Sequence, residues 1–164
     1  MPKEQKEKVL ARLDEMQIPY EIINHAAVFN MEEMERLQLA NMDKVVKNLF
    51  IRDAKKQNYY LVVMQKDKSA NLKELRGKIE SKPLTFASED DLHKILKIGT
   101  GEVSPFGALN DTENCVSAII DSELKNYEFL GVHPNDNTAT IFISVDDLVK
   151  VLEANGTKIM FVDL

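Results

Sequence analysis

The chain has 164 residues, 44% of them hydrophobic, with 27 acidic against 21 basic side chains and a net charge of −6. A chain of this length and composition is expected to form one globular domain over 1–164, burying about two-thirds of its extended surface. No apolar run is long enough to span a membrane, Met1–Lys6 carries no apolar signal core, and the lone Cys115 has no partner for an internal disulfide, so the cytoplasm is the expected location.

In chain order, Val9, Leu10, Leu13 and Met16 recur at helical spacing and predict a helix from Lys3 to Gln17, ended by Pro19. Tyr20–Ile23 reads as a short strand. Asn30, with Glu33 three residues on, starts a helix through about Ala40. Val45–Ile51 and Tyr59–Met64 are rich in β-formers and predict a hairpin across the polar 53–58 connection. A helix over Asn71–Ile79, a strand over Leu84–Phe86 and a helix capped by Ser88, with Leu92, Ile95 and Leu96 facing inward, come next. Gly99–Gly107 reads as a loop. Three strands follow, at Val116–Asp121, Tyr127–Val132 and Thr138–Ile143, the last pair joined by a turn at Pro134–Asn137. Ser144 with Asp147 starts a final helix that ends before Gly156, and Lys158–Val162 closes the chain as a strand. Interspersed helices and hairpins predict an α/β or α+β fold built on one mixed sheet.

Charge is uneven along the chain. Residues 44–82 hold eleven basic and four acidic side chains, whereas 83–164 hold five basic and fourteen acidic. The middle third is either a local basic face suited to weak contact with phosphates or a solvated surface.

Two segments stand out for chemistry. Lys47 interrupts an apolar strand, where a charge needs either a function or a route to water along its own stem. Gly101-Glu102-Val103-Ser104-Pro105-Phe106-Gly107 combines glycine, which permits close backbone approach, with a proline that stiffens the loop. His133 ends an apolar strand before Pro134 and reads either as a pocket-rim residue or as a turn cap. His25, His93 and His133 have no metal-ligand spacing, and no Gly-x-Ser-x-Gly elbow, phosphate loop or dinucleotide fingerprint is present. Cys115 reads as a small core residue. An enzyme with this inventory, lacking an obvious nucleophile, would work by positioning water or by using a group on its substrate.

Five segments in order resemble the YbaK-like prolyl-tRNA editing proteins, related to the editing domain of bacterial prolyl-tRNA synthetases. They are His25–Phe29 before a Glu-rich helix start, Lys47–Asp53, Gly101–Gly107 with Asn110-Asp111, His133-Pro134 with Asn137–Thr140, and Phe161-Val162-Asp163. Two departures are Asn30, where relatives often carry Thr or Arg, and Ala26-Ala27 in place of Pro-Pro.

The resemblance implies a mixed, strongly curved sheet wrapped by helices. It also implies hydrolysis of a mischarged aminoacyl ester on proline tRNA, most simply alanyl, without metal or cofactor. Lys47 and Gly101 are then the catalytic positions, and Asn48, Glu102, Val103, Ser104, Pro105 and His133 contact substrate. The implied partner is the acceptor end of the tRNA, with transient contact to prolyl-tRNA synthetase or an elongation factor and none to a membrane. The alternatives are a non-catalytic sensor of aminoacyl-tRNA or amino acid, and a plain RNA-binding module.

Overall fold

In the computed structural model, which describes residues 2–164, β2 (Val46–Asp53) and β3 (Tyr59–Gln65) form the expected antiparallel hairpin, with Lys47 opposite Met64 and Arg52 opposite Tyr59. β4 (Leu84–Phe86) pairs antiparallel with the far end of β2. On the other side, β5 (Val116–Asp121) runs parallel to β3 and β8 (Lys158–Val162) parallel to β5, giving the order β4-β2-β3-β5-β8.

Side chains alternate strictly across this sheet, as the two-residue period of a strand requires. Val46, Phe50, Leu61, Val63, Ala118 and Ile120 join the larger core with Val9 and Leu13 of α1 (Pro2–Glu15) and Leu148, Val151 and Leu152 of α5 (Val145–Ala154). Ile51, Val62, Met64 and Ile119 turn the other way, onto Leu75 of α3 (Leu72–Lys78). Both faces are covered, so these strands read as nearly continuous apolar runs. Truncating a fully buried residue such as Leu61 to Ala costs about 2–5 kcal/mol.

The remaining strands form a second sheet, where one mixed sheet was expected. β7 (Ala139–Ile143) pairs antiparallel with β1 (Glu21–Asn24) and with β6 (Leu130–Val132). A single parallel bridge, Val45 to Gly131, joins the two sheets. The approach is close because Gly131 has no side chain: a Cβ there would lie 2.9 Å from Val45 Cγ2 and 2.9 Å from Phe142 Cε1. This seam is where most of the candidate site residues gather.

Several boundaries differ from expectation for local reasons. α1 stops at Glu15 because Gln17 turns left-handed (φ 57°). The Ile18 N–H then donates to Leu13 O (2.9 Å) and the Gln17 N–H to Asp14 O (3.0 Å), closing the helix with Ile18 and Leu13 both buried. α2 (Met31–Arg36) ends early in the same way, at left-handed Gln38. After Ser88, which forms a capping box with Asp91, α4 (Glu89–Asp91) widens into a π-turn over Leu92–Leu96. Residues 105–110, expected in part as loop, form a 3₁₀ helix, and only Leu130–Val132 of the strand expected over 127–132 is paired. No helix among the described residues is long and apolar enough to cross a membrane.

Candidate active site

A pocket of about 230 Å³ opens where β2 begins, between the first turn of α2 and the loop at 101–103. Five of the eight expected site residues line it: Lys47, Asn48, Gly101, Val103 and His133. They come from three segments far apart in sequence, brought together at the seam. Glu102, Ser104 and Pro105 do not line it; they build the loop behind the wall. Glu102 accepts the Gly99 N–H on its carboxylate (3.0 Å) and donates its own N–H to Gly99 O (3.1 Å). Ser104 is fully buried, accepts the Phe106 N–H (3.0 Å) and donates to Asn135 Oδ1 (3.0 Å), while buried Pro105 opens the 3₁₀ helix.

The Lys47 ammonium donates to the backbone carbonyl of Lys68 and makes no ion pair among the described residues. Neighbouring lysines are neutralised: Lys66 by Glu35 (2.7 Å), and Lys68 by Asp121 (2.8 Å) and Glu123 (2.7 Å). Lys47 is therefore the uncompensated positive charge of the pocket. Beside it, Asn48 Oδ1 is buried with no hydrogen-bond partner. Such an orphan costs about 1–3 kcal/mol in a folded protein and is unusual without a reason at the site.

His133 donates from Nδ1 to Ala139 O (2.9 Å), since a carbonyl only accepts. That bond fixes the tautomer and leaves Nε2 as a bare acceptor. Burial, with His25 nearby, pushes its pKa below the usual histidine value despite the Ala139 bond and Asp136, so the ring is neutral at pH 7. The ring centroids of His25 and His133 lie 6.1 Å apart. His25 is held by Ala26 O on Nδ1 (2.8 Å) and by the Thr140 hydroxyl on Nε2 (2.8 Å). Both sequence readings of His133 thus apply, since it lines the pocket and also ties together the ends of a turn.

Gly101 has φ +88°, and a Cβ on it would lie 2.9 Å from Phe29 Cδ1 and 3.3 Å from Phe29 Cα. The sequence reading reserved that space for a ligand; Phe29 occupies it. The two walls that meet here are clasped by the turn after His133. Asn135 donates to Phe106 O (3.1 Å) and accepts from Ser104, and Asn137 donates to Val28 O (2.8 Å) while its own carbonyl accepts the Val28 N–H (3.2 Å).

Sequence reasoning missed Phe29, Met31 and Met34 as pocket lining, and Asn135 and Asn137 as structural polar residues. Met31 and Met34 read from their helical spacing with Leu37 as one apolar helix face rather than as pocket lining, and Phe29 carries no periodic signal. The asparagines carry only a turn signal, and their partners lie 29 and 109 residues away. Among the described residues no three His, Cys, Asp or Glu side chains form a metal-holding group. Cys115 lies in another cleft, its thiol pushed up to about 11 by burial and by Asp111, far from the thiolate a nucleophile requires.

A family model described as the aminoacyl-tRNA editing domain matches residues 25–151, which span the whole pocket. The chain is 47% identical over its full length, and the relative's, to the prolyl-tRNA editing protein ProX of Acetoanaerobium sticklandii. It is 34% identical, over 88% of both chains, to prolyl-tRNA synthetase associated domain-containing protein 1 of Mus musculus. The fold also matches the crystal structure of a candidate trans-editing enzyme for prolyl tRNA synthetase, with TM-score 0.73 and 15% identity over 98% of this chain and 97% of that one. With a pocket that joins an unpaired lysine, a glycine loop and a neutral histidine inside the matched span, the chain belongs to the aminoacyl-tRNA editing domain family.

Proposed function

We propose that this chain hydrolyses the ester joining alanine to the acceptor end of mischarged proline tRNA. The observation that carries this reading is the single pocket shared by Lys47, Asn48, Gly101 and His133. The ProX relative's name supports the tRNA as substrate.

The polar groups divide the substrate between them. The ammonium of Lys47 suits the ester carbonyl or an adjacent phosphate, where negative charge sits or develops. One acceptor, His133 Nε2, suits a donor that remains, the α-ammonium of the amino acid or a ribose hydroxyl. The ester is already activated, so water needs only orientation. The free hydroxyl of the terminal ribose supplies that, in keeping with the lack of an ion-paired carboxylate on Lys47 among the described residues. Water adds to the carbonyl carbon, and the oxyanion is stabilised by the backbone N–H groups of Gly101 and Val103, that of Glu102 being held by Gly99 O, and by Lys47. Collapse expels the ribose oxygen, which takes up a proton, and free alanine leaves. Val28, Met34 and Val45 give the pocket apolar lining that suits a methyl side chain, and steric rejection of the bulkier proline ring is the other half of this reading.

The test is deacylation of proline tRNA carrying alanine, cysteine or serine. Alanine release fastest of the three fits this reading. Faster cysteine or serine release reassigns the substrate, and binding without release of any of them would make the chain a sensor.

A further inference from the structure

We propose that Phe29 is the platform on which the terminal purine of the tRNA stacks while its aminoacyl ester lies in the pocket. This rests on the function proposed above.

Among the described residues Phe29 is one of two exposed large apolar side chains, at 62%. The other, Phe86, lies on edge strand β4 at the far end of β2 and borders no cavity that Phe29 borders. Exposure alone is ordinary for a single phenylalanine. What distinguishes Phe29 is place and fixation. It lines the mouth of the pocket. Its N–H donates to the Glu33 carboxylate (2.7 Å), and the preceding residue is tied to Asn137 through both its N–H and its carbonyl. On the loop side Gly101 lies so close that a Cβ on it would meet the Phe29 Cα and ring, so the ring is walled on that side while remaining largely exposed to water. Ordering an exposed aromatic in this way is unfavourable in the free protein and useful to a flat ligand.

The substrate supplies such a ligand. A cavity of about 230 Å³ houses an amino acid and its ester but not an additional purine. The base attached to the esterified ribose must therefore lie outside, one sugar away from the carbonyl, where Phe29 stands. Stacking needs no hydrogen-bond readout, which suits a terminal adenosine common to every tRNA.

The chain contains no tryptophan, so Phe29→Trp places a lone indole at the site. Its fluorescence is titrated with uncharged proline tRNA ending in CCA and with the same RNA lacking the terminal adenosine. Saturable quenching by the first and none by the second is expected. In parallel, Phe29→Ala and Phe29→Leu should weaken binding of the CCA-ended tRNA by about 5- to 100-fold, with melting temperature retained, since leucine keeps apolar volume without a π-face. Equal quenching by both RNAs, or full affinity in Phe29→Leu, overturns the proposal. If the unsubstituted chain releases no amino acid from any proline tRNA, the proposed function falls and this inference with it. Release by that chain combined with an indole blind to the terminal adenosine overturns the stacking alone.

Discussion

The two ends of β2 handle polar groups in opposite ways. At the far end they are closed on one another. Asp53, 1% exposed, accepts the Gln57 N–H (2.8 Å) and the Asn58 amide (2.9 Å), Arg52 donates to Asp53 O (3.0 Å), and the Tyr59 hydroxyl reaches Asp91 (3.4 Å). Arg52 Nε is the exception, without a hydrogen bond though 3.7 Å from Asp91. At the pocket end the groups stay open: a lysine on a carbonyl alone, an amide oxygen without a partner and a bare imidazole nitrogen. A strand that satisfies its buried polar groups at one end can do so at the other. Leaving them open is the mark of a ligand-facing surface.

The largest effect that would sharpen this contrast is on turnover. Lys47→Met, which keeps the stem but removes the charge, should lower alanine release by about 10²-fold or more with the melting temperature little changed. Normal turnover, or a protein that unfolds, breaks the assignment of an open, functional end. Gly101→Val should also lower activity by about 10²-fold, because a Cβ at φ +88° meets Phe29 and moves the loop. Strain there also costs about 1–2 kcal/mol of stability, readable by denaturant titration.

At the closed end the sign reverses. Asp53→Ala leaves the Asn58 and Gln57 donors unpaired and should cost about 1–3 kcal/mol of stability, with alanine release per folded molecule unchanged. Burial alone would raise the Asp53 pKa, but hydrogen bonds from Asn58 and Gln57 outweigh it and hold the value below 3.8. Its contribution is therefore complete above pH 3.8 and is lost as pH falls through the lower folded value. Acid unfolding of Asp53→Ala should lack that part of the pH dependence.

The smallest effect concerns His133. Its folded pKa lies below 6.5, so the unfolded chain binds a proton first as pH falls. Stability from this group is whole above pH 6.5 and declines below it, toward the folded value. Alanine release should hold its pH 7 rate down to 6.5 and fall only below, as Nε2 stops accepting. A midpoint at or above 6.5 in the pH–rate profile contradicts a neutral, pocket-facing imidazole.

Much of this contrast was legible in the sequence. The β2–β3 hairpin, the caps at Asn30, Ser88 and Ser144 and the stop at Gly156 follow from patterning and local hydrogen bonding, and they stand in the structure. What was not legible is long-range. Gln17 and Gln38 end helices in left-handed geometry that no propensity marks. Gly131 looks like a strand glycine until Val45 is seen against it. Lys47 was visible as a charge out of place, but the neutralisation of Lys66 and Lys68, which makes Lys47 distinctive, depends on Glu35, Asp121 and Glu123 in other elements.

The most direct measurement is release of free alanine from alanylated proline tRNA by the unsubstituted chain, with prolyl-charged tRNA as the parallel sample. The account predicts multiple turnovers on the alanyl ester and none above the spontaneous rate on the prolyl ester. Equal release from both, or release from neither, would contradict it.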